Sequence, residues 1–127
     1  VKSEHKEKLR DVGDQCLLFS GLFPRRAEKK SVRISYFVDL GRSAYQQLSS
    51  LSRHQTAKIY QNLAGGFVSL MDVLHAMRAL DTSQEPLSPL QAFELWADTG
   101  SPYAHAAVTQ SSTSIPVLIS GDKKILN

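Results

Sequence analysis

Cysteine is almost missing from this chain: Cys16 is the only one in 127 residues. A single thiol excludes an intramolecular disulfide and any zinc motif built on cysteines. It suits a reducing compartment, so a cytoplasmic location is the expectation. Long apolar runs are missing too. No stretch reaches the roughly 18 to 20 residues that a membrane-spanning helix needs, so no membrane is expected as a partner. The opening stretch, residues 1–10, is charged and lacks the apolar core of a signal peptide. It begins at Val1 rather than at methionine, which implies processing or a longer parent chain.

The motifs that announce chemistry are also missing. There is no glycine-rich loop followed by Lys-Ser or Lys-Thr, no dinucleotide fingerprint and no His-Glu-x-x-His. The stretch Gly41-Arg42-Ser43-Ala44-Tyr45 is not a nucleophile elbow, which needs a second glycine two residues after the serine. His5, His54, His75 and His105 lie far apart, with no pair at ligand spacing. No cofactor and no metal are therefore expected, short of a site assembled from distant segments, and the balance leans against an enzyme.

What is present reads as helices. In residues 3–22, Leu9, Val12, Cys16 and Phe19 recur at steps of three and four, one face of a helix widened by Leu18 and Leu22. Gly13 on that helix implies close packing by a neighbour. Gly21 followed by Pro24 marks the helix stop. Residues 27–34 read as a polar connection, with a short strand over 32–35 as an alternative. A second helix carries Phe37, Leu40, Gly41, Ala44, Leu48 and Leu51 on one face, and its small residues permit close approach.

Ser52 and Gln55 have the spacing of a capping box. A long third helix is expected from there to about residue 80, with Ile59, Leu63, Phe67, Leu70, Leu74 and Met77 as its stripe. Gly65-Gly66 predicts a kink or a tight crossing within that helix rather than two separate helices. Ser88-Pro89 with Gln91 predicts a capped helix running to Gly100. Ser101-Pro102 opens a shorter one over about 102–109. The sum is an all-α single-domain bundle of about five helices spanning 1–110, with an irregular C-terminal tail over 111–127. Within that tail, residues 115–120 (Ile-Pro-Val-Leu-Ile-Ser) form an edge strand or lie across the bundle.

Charge is unevenly placed. The net charge is +3, and the first 30 residues hold eight basic and five acidic side chains, whereas the remainder holds seven of each. Arg25, Arg26, Lys29 and Lys30 make the one dense basic turn, a candidate contact for anions or nucleic acid. The interleaved acids and the lack of neighbouring aromatics beyond Phe23 weigh for a solvated turn. Cys16, on an apolar stripe, reads as a buried, inert thiol rather than a nucleophile. Met71 and His75 stand one turn apart and read as core-edge residues rather than ligands of a haem-like cofactor. Asp14, set among apolar residues, either forms an i,i+4 ion pair with Arg10 or meets Arg42 or Tyr45 of the second helix.

Three blocks of residues share a further pattern. They are Leu9-Arg10-x-x-Gly13-Asp14 with Leu18, Phe19, Gly21, Leu22 and Phe23; Tyr36-Phe37 with Gly41, Ala44 and Tyr45; and Trp96 with Thr99-Gly100-Ser101. In order and spacing they resemble a family of uncharacterised bacterial helical proteins. The resembled pattern has phenylalanine where this chain has Leu22, and tyrosine where it has Phe37. The resemblance implies a helical fold, a bacterial origin and further helices upstream, and it carries no reaction. Arg10, Asp14, Arg42, Tyr45 and Trp96 are taken together as a candidate polar junction or pocket.

Three functional readings follow from the sequence. The first is a non-enzymatic helical interaction or regulatory module whose partner is a protein, either a second copy or another chain. One alternative is a nucleic-acid-associated protein acting through residues 25–30. The other is a small-ligand binder or enzyme with a pocket near Asp14, Arg42, Tyr45 and Trp96.

Overall fold

The computed structural model describes residues 2–114, and among these there is helix but no strand. Seven helices follow one another: α1 (Lys2–Gly21), α2 (Pro24–Lys29), α3 (Ile34–Ser50), α4 (His54–Gly65), α5 (Phe67–Ala79), α6 (Pro89–Thr99) and α7 (Pro102–Ser114). The all-α architecture agrees with the sequence expectation, and the helix count of about five is corrected to seven. The 115–120 segment lies outside the described residues.

The scaffold is an antiparallel pair, α1 against α3, whose contacts descend one helix as they climb the other. Gly13 meets the ring of Tyr45, Cys16 meets Gly41, and Phe19 packs edge-on against Phe37. Glycine is what lets the axes come so close. A Cβ on Gly13 would stand 2.7 Å from Cδ1 of Tyr45, and one on Gly41 would stand 2.6 Å from the Phe67 ring. α5 lies along the other side of α1, where Gly21 admits Leu74. The core gathers on these contacts: Cys16, Ala27, Ile34, Val38, Tyr45, Ala64, Phe67, Met71, Leu95 and Ala104.

The two extra helices arise at Pro24 and at Gly66. α2 arises within the expected polar connection because Pro24 sits in its first turn with φ already helical. Ala27 then gives this short helix a buried side. The expected long helix over 52–80 is two helices meeting at Gly66, which has φ −98° and ψ 13°. Gly66 closes α4 by donating its N–H to Asn62 O (2.8 Å) and opens α5 by accepting from Leu70 N (2.9 Å). The bend leaves α4 beside α3 and brings α5 across to α1.

The bend also rotates the apolar stripe. Phe67, Met71 and His75 face inward, whereas Leu70 and Met77, expected in the core, are exposed. The strand alternative at 32–35 gives way to the first turn of α3, where Ile34 and Ser35 are buried.

One expected cap forms and one does not. Ser88 and Gln91 make the full reciprocal box at the start of α6. Gln91 also donates to Pro24 O (2.9 Å), tying α6 to α2. Ser52 instead donates to Leu48 O (2.7 Å), finishing α3, and α4 starts after Arg53 without any side-chain cap. The turn between α6 and α7 uses Gly100 at φ 74°, the left-handed region glycine tolerates. α7 runs to Ser114, beyond the expected end near 109.

Candidate functional site

Asp14 and Tyr45 meet. The Tyr45 hydroxyl donates to Asp14 Oδ1 at 2.6 Å. Tyr45 is 1% exposed, wedged against Gly13 and stacked on Tyr60, with ring centroids 6.0 Å apart. Burial first, then the hydrogen bond and the nearby Asp14 charge, hold its phenol well above the ordinary tyrosine range. Tyr45 is therefore a neutral donor at any physiological pH and not a general base. Asp14 itself is exposed at the edge of the junction. The pair joins the central two helices through one charge-assisted hydrogen bond.

The other members of the expected cluster go elsewhere. Among the described residues neither Arg10 nor Arg42 forms an ion pair. Trp96 lies on α6, where its ring meets Phe93 (6.1 Å) and His105 of α7 (4.8 Å) rather than Asp14 or Tyr45. The four principal clefts of the described surface are lined by residues other than Asp14, Arg42, Tyr45 and Trp96.

The basic turn is partly neutralised. Arg25 pairs with Glu28 (3.2 Å) and Glu85 (2.8 Å). Arg26 lies over the rings of Phe19 and Phe23, 5.7 and 4.9 Å from their centroids, a cation–π arrangement that holds it against the protein. Lys29 and Lys30 are exposed at the end of α2, where positive charge suits the helix dipole.

The Thr99-Gly100-Ser101 block is a structural joint. Ser101, fully buried, donates to Asp72 Oδ1 (2.6 Å) and accepts from Ala104 N (3.0 Å), capping α7. Asp72 Oδ2 also accepts from Tyr103 N at 3.2 Å, so one carboxylate of α5 fixes the start of α7. Nearby, His75 is 1% exposed and stacks on Tyr103. Burial, reinforced by the Arg78 charge and opposed by a hydrogen bond to the Ser20 backbone, lowers its pKa from 6.5 to about 4. Its Nε2 and the Nε of Arg78 are buried without hydrogen-bond partners. Cys16 is buried and its thiol is pushed up by desolvation, away from the thiolate a nucleophile requires.

One cluster of unpaired cations was only partly singled out from the sequence, which picked out Arg10 alone of its members. A cleft of about 410 Å³ opens between the start of α1, the end of α3 and the start of α4, lined by Lys6, Arg10, Arg53, Thr56 and Tyr60 among others. Its α1 side was visible as a face, since Ser3, Lys6, Glu7 and Arg10 follow helical spacing. Its α4 side, at the polar helix start from Ser52, meets α1 only through tertiary packing.

Among the described residues no group of three or more histidine, cysteine or acidic side chains could hold a metal ion. None of their helices is long and apolar enough to cross a membrane. Comparisons with protein families, with curated proteins and with solved structures found no match.

Proposed function

We propose that this chain is a non-enzymatic helical interaction module that associates with a second copy of itself through the outward face of α5. The observation that carries the reading is the composition of that face. Every exposed residue of α5 is uncharged: Ser69, Leu70, Val73, Ala76, Met77 and Ala79, followed by Leu80. Val73, Met77 and Leu80 are 55%, 57% and 83% exposed. An apolar helix face left in water is the usual mark of an interaction surface.

The spacing of Leu70, Val73, Met77 and Leu80, at steps of three, four and three, is that of helices packing side by side at a shallow angle. A counterpart must itself be uncharged and apolar at the same repeat. The α5 of a second copy meets that condition, because a two-fold contact sets one patch against itself. The reading is tested by light scattering coupled to size-exclusion chromatography over a range of concentrations. The wild type should run as a dimer and Val73→Glu as a folded monomer. A wild type that stays monomeric at every concentration overturns the proposal.

A further inference from the structure

The cleft bounded by α1, α3 and α4 has the composition of an anion site. Lys6 and Arg10 stand one turn apart on α1, and Arg53 faces them from the start of α4. Glu7 is the one acid in the lining, so the cleft carries two net positive charges. Among the described residues none of these three cations forms an ion pair, in contrast to Arg25 and Arg33, whose guanidinium groups are taken by Glu28 and Glu85 and by Glu94 and Asp98. Three cations around one acid leave a net repulsion, and a bound anion relieves that.

The neutral donors point to the same chemistry. The hydroxyls of Ser3 and Thr56 line the cleft and donate to no described protein group, and Ser52 beside them has its proton on Leu48 O. α4 is twelve residues long, and its N-cap, Arg53, supplies no side-chain acceptor. Arg53 and Thr56, at the start of α4, line the cleft, and the helix dipole adds positive potential at this rim. The half-buried ring of Tyr60 is the main apolar surface of the lining, since Leu48 is 2% exposed. The volume falls within the roughly 300 to 1,000 Å³ typical of small-molecule sites.

We propose that this cleft binds a small phosphate monoester carrying an apolar or aromatic group. The two net charges match a monoester dianion. The forked guanidinium groups of Arg10 and Arg53 suit its oxygens. The ring of Tyr60 receives the organic group. This site is independent of the α5 face and does not rest on self-association.

The test is an amide-resolved NMR titration of the whole chain at low salt, with phenyl phosphate as the probe. Inorganic phosphate and a short single-stranded DNA oligonucleotide serve as comparisons. Saturable shifts at His54, Gln55 and Thr56 are expected, with phenyl phosphate binding more tightly than inorganic phosphate. Arg10→Gln and Arg53→Gln should each weaken binding roughly tenfold, the value of one charge-assisted contact. Lys29→Gln, which removes a surface cation outside the cleft, should change it by no more than about twofold, since it breaks no contact to the ligand. All three side chains are exposed, and unchanged spectra elsewhere confirm the fold; Lys6→Gln replaces either arginine variant that fails this check. No saturable shift, or equal losses in Lys29→Gln and Arg53→Gln, overturns the proposal. So does oligonucleotide binding that phenyl phosphate cannot displace, because that would assign the charge to a phosphodiester backbone.

Discussion

The Tyr45 hydroxyl is buried and the Asp14 carboxylate that receives its proton is not, and this asymmetry sets what each substitution costs. Replacing Asp14 with Ala strands a buried donor, which costs about 1 to 3 kcal/mol. Tyr45→Phe removes the donor and leaves Asp14 to water, so its cost is nearer 0.5 to 1.5 kcal/mol, the net value of an ordinary hydrogen bond. Chemical denaturation should therefore rank Asp14→Ala as the more damaging of the two; the reverse order would show that Asp14 has another partner at the junction. His75 offers a second test at this scale. Its pKa is about 4 in the folded chain and 6.5 as the reference value, so the unfolded state takes up the proton first as pH falls. The stability it contributes is complete above pH 6.5 and is lost between there and about pH 4. At about 1.4 kcal/mol per pKa unit, the loss approaches 3 kcal/mol. Comparing the wild type with His75→Phe over that window isolates this effect from carboxylates such as Asp98, whose pKa is lowered mainly by its hydrogen bond from Ser35. Parallel curves for the two proteins would contradict the assignment.

Among the elements, what could be read from sequence depended on whether the deciding contact was local. The α6 cap was legible because Ser88, Pro89 and Gln91 complete it within one turn. The same pattern at Ser52 and Gln55 gave no cap, because the Ser52 hydroxyl turned back to finish α3. The α4–α5 bend lay in a glycine pair that could be seen, but two helices rather than one followed from where α5 had to go. Gly13 and Gly41 were legible as small residues that admit a neighbour, while Tyr45 as that neighbour required the fold. The candidate cluster was half legible for the same reason. Asp14 and Tyr45 face each other across the α1–α3 contact, whereas Trp96 was carried off on α6. The glycines give a paired prediction. Gly13→Ala gains about 1 kcal/mol of helix propensity but drives a methyl into the Tyr45 ring, and overpacking of that kind costs about 1 to 3 kcal/mol. Gly65→Ala on α4 meets nothing within 4 Å and keeps most of the propensity gain. Thermal melts should shift down for the first and up for the second. A rise for both would mean that α1 and α3 are free to move apart.

At the scale of the whole molecule, two surfaces are unsatisfied in different ways, and linkage separates them. The α5 face exposes apolar side chains, and the α1–α3–α4 cleft is lined by three cations without ion pairs. Anything that binds only the folded chain raises its stability with concentration, by about 2.7 kcal/mol at one hundred times the dissociation constant. A dimer through α5 makes the melting temperature rise with protein concentration. A monoester in the cleft makes it rise with ligand concentration at fixed protein. Ionic strength must be matched with sodium chloride, because screening alone relieves the repulsion among Lys6, Arg10 and Arg53. Under those conditions phenyl phosphate should raise the melting temperature beyond the chloride control in the wild type and in Val73→Glu. It should do so only weakly in Arg53→Gln. The concentration dependence should persist in Arg53→Gln and vanish in Val73→Glu. The crossed pattern arises only if the two surfaces act independently. If Val73→Glu also abolished the phosphate response, the two sites would be coupled through α4 and α5, with Gly66, the single residue between them, as the joint to examine.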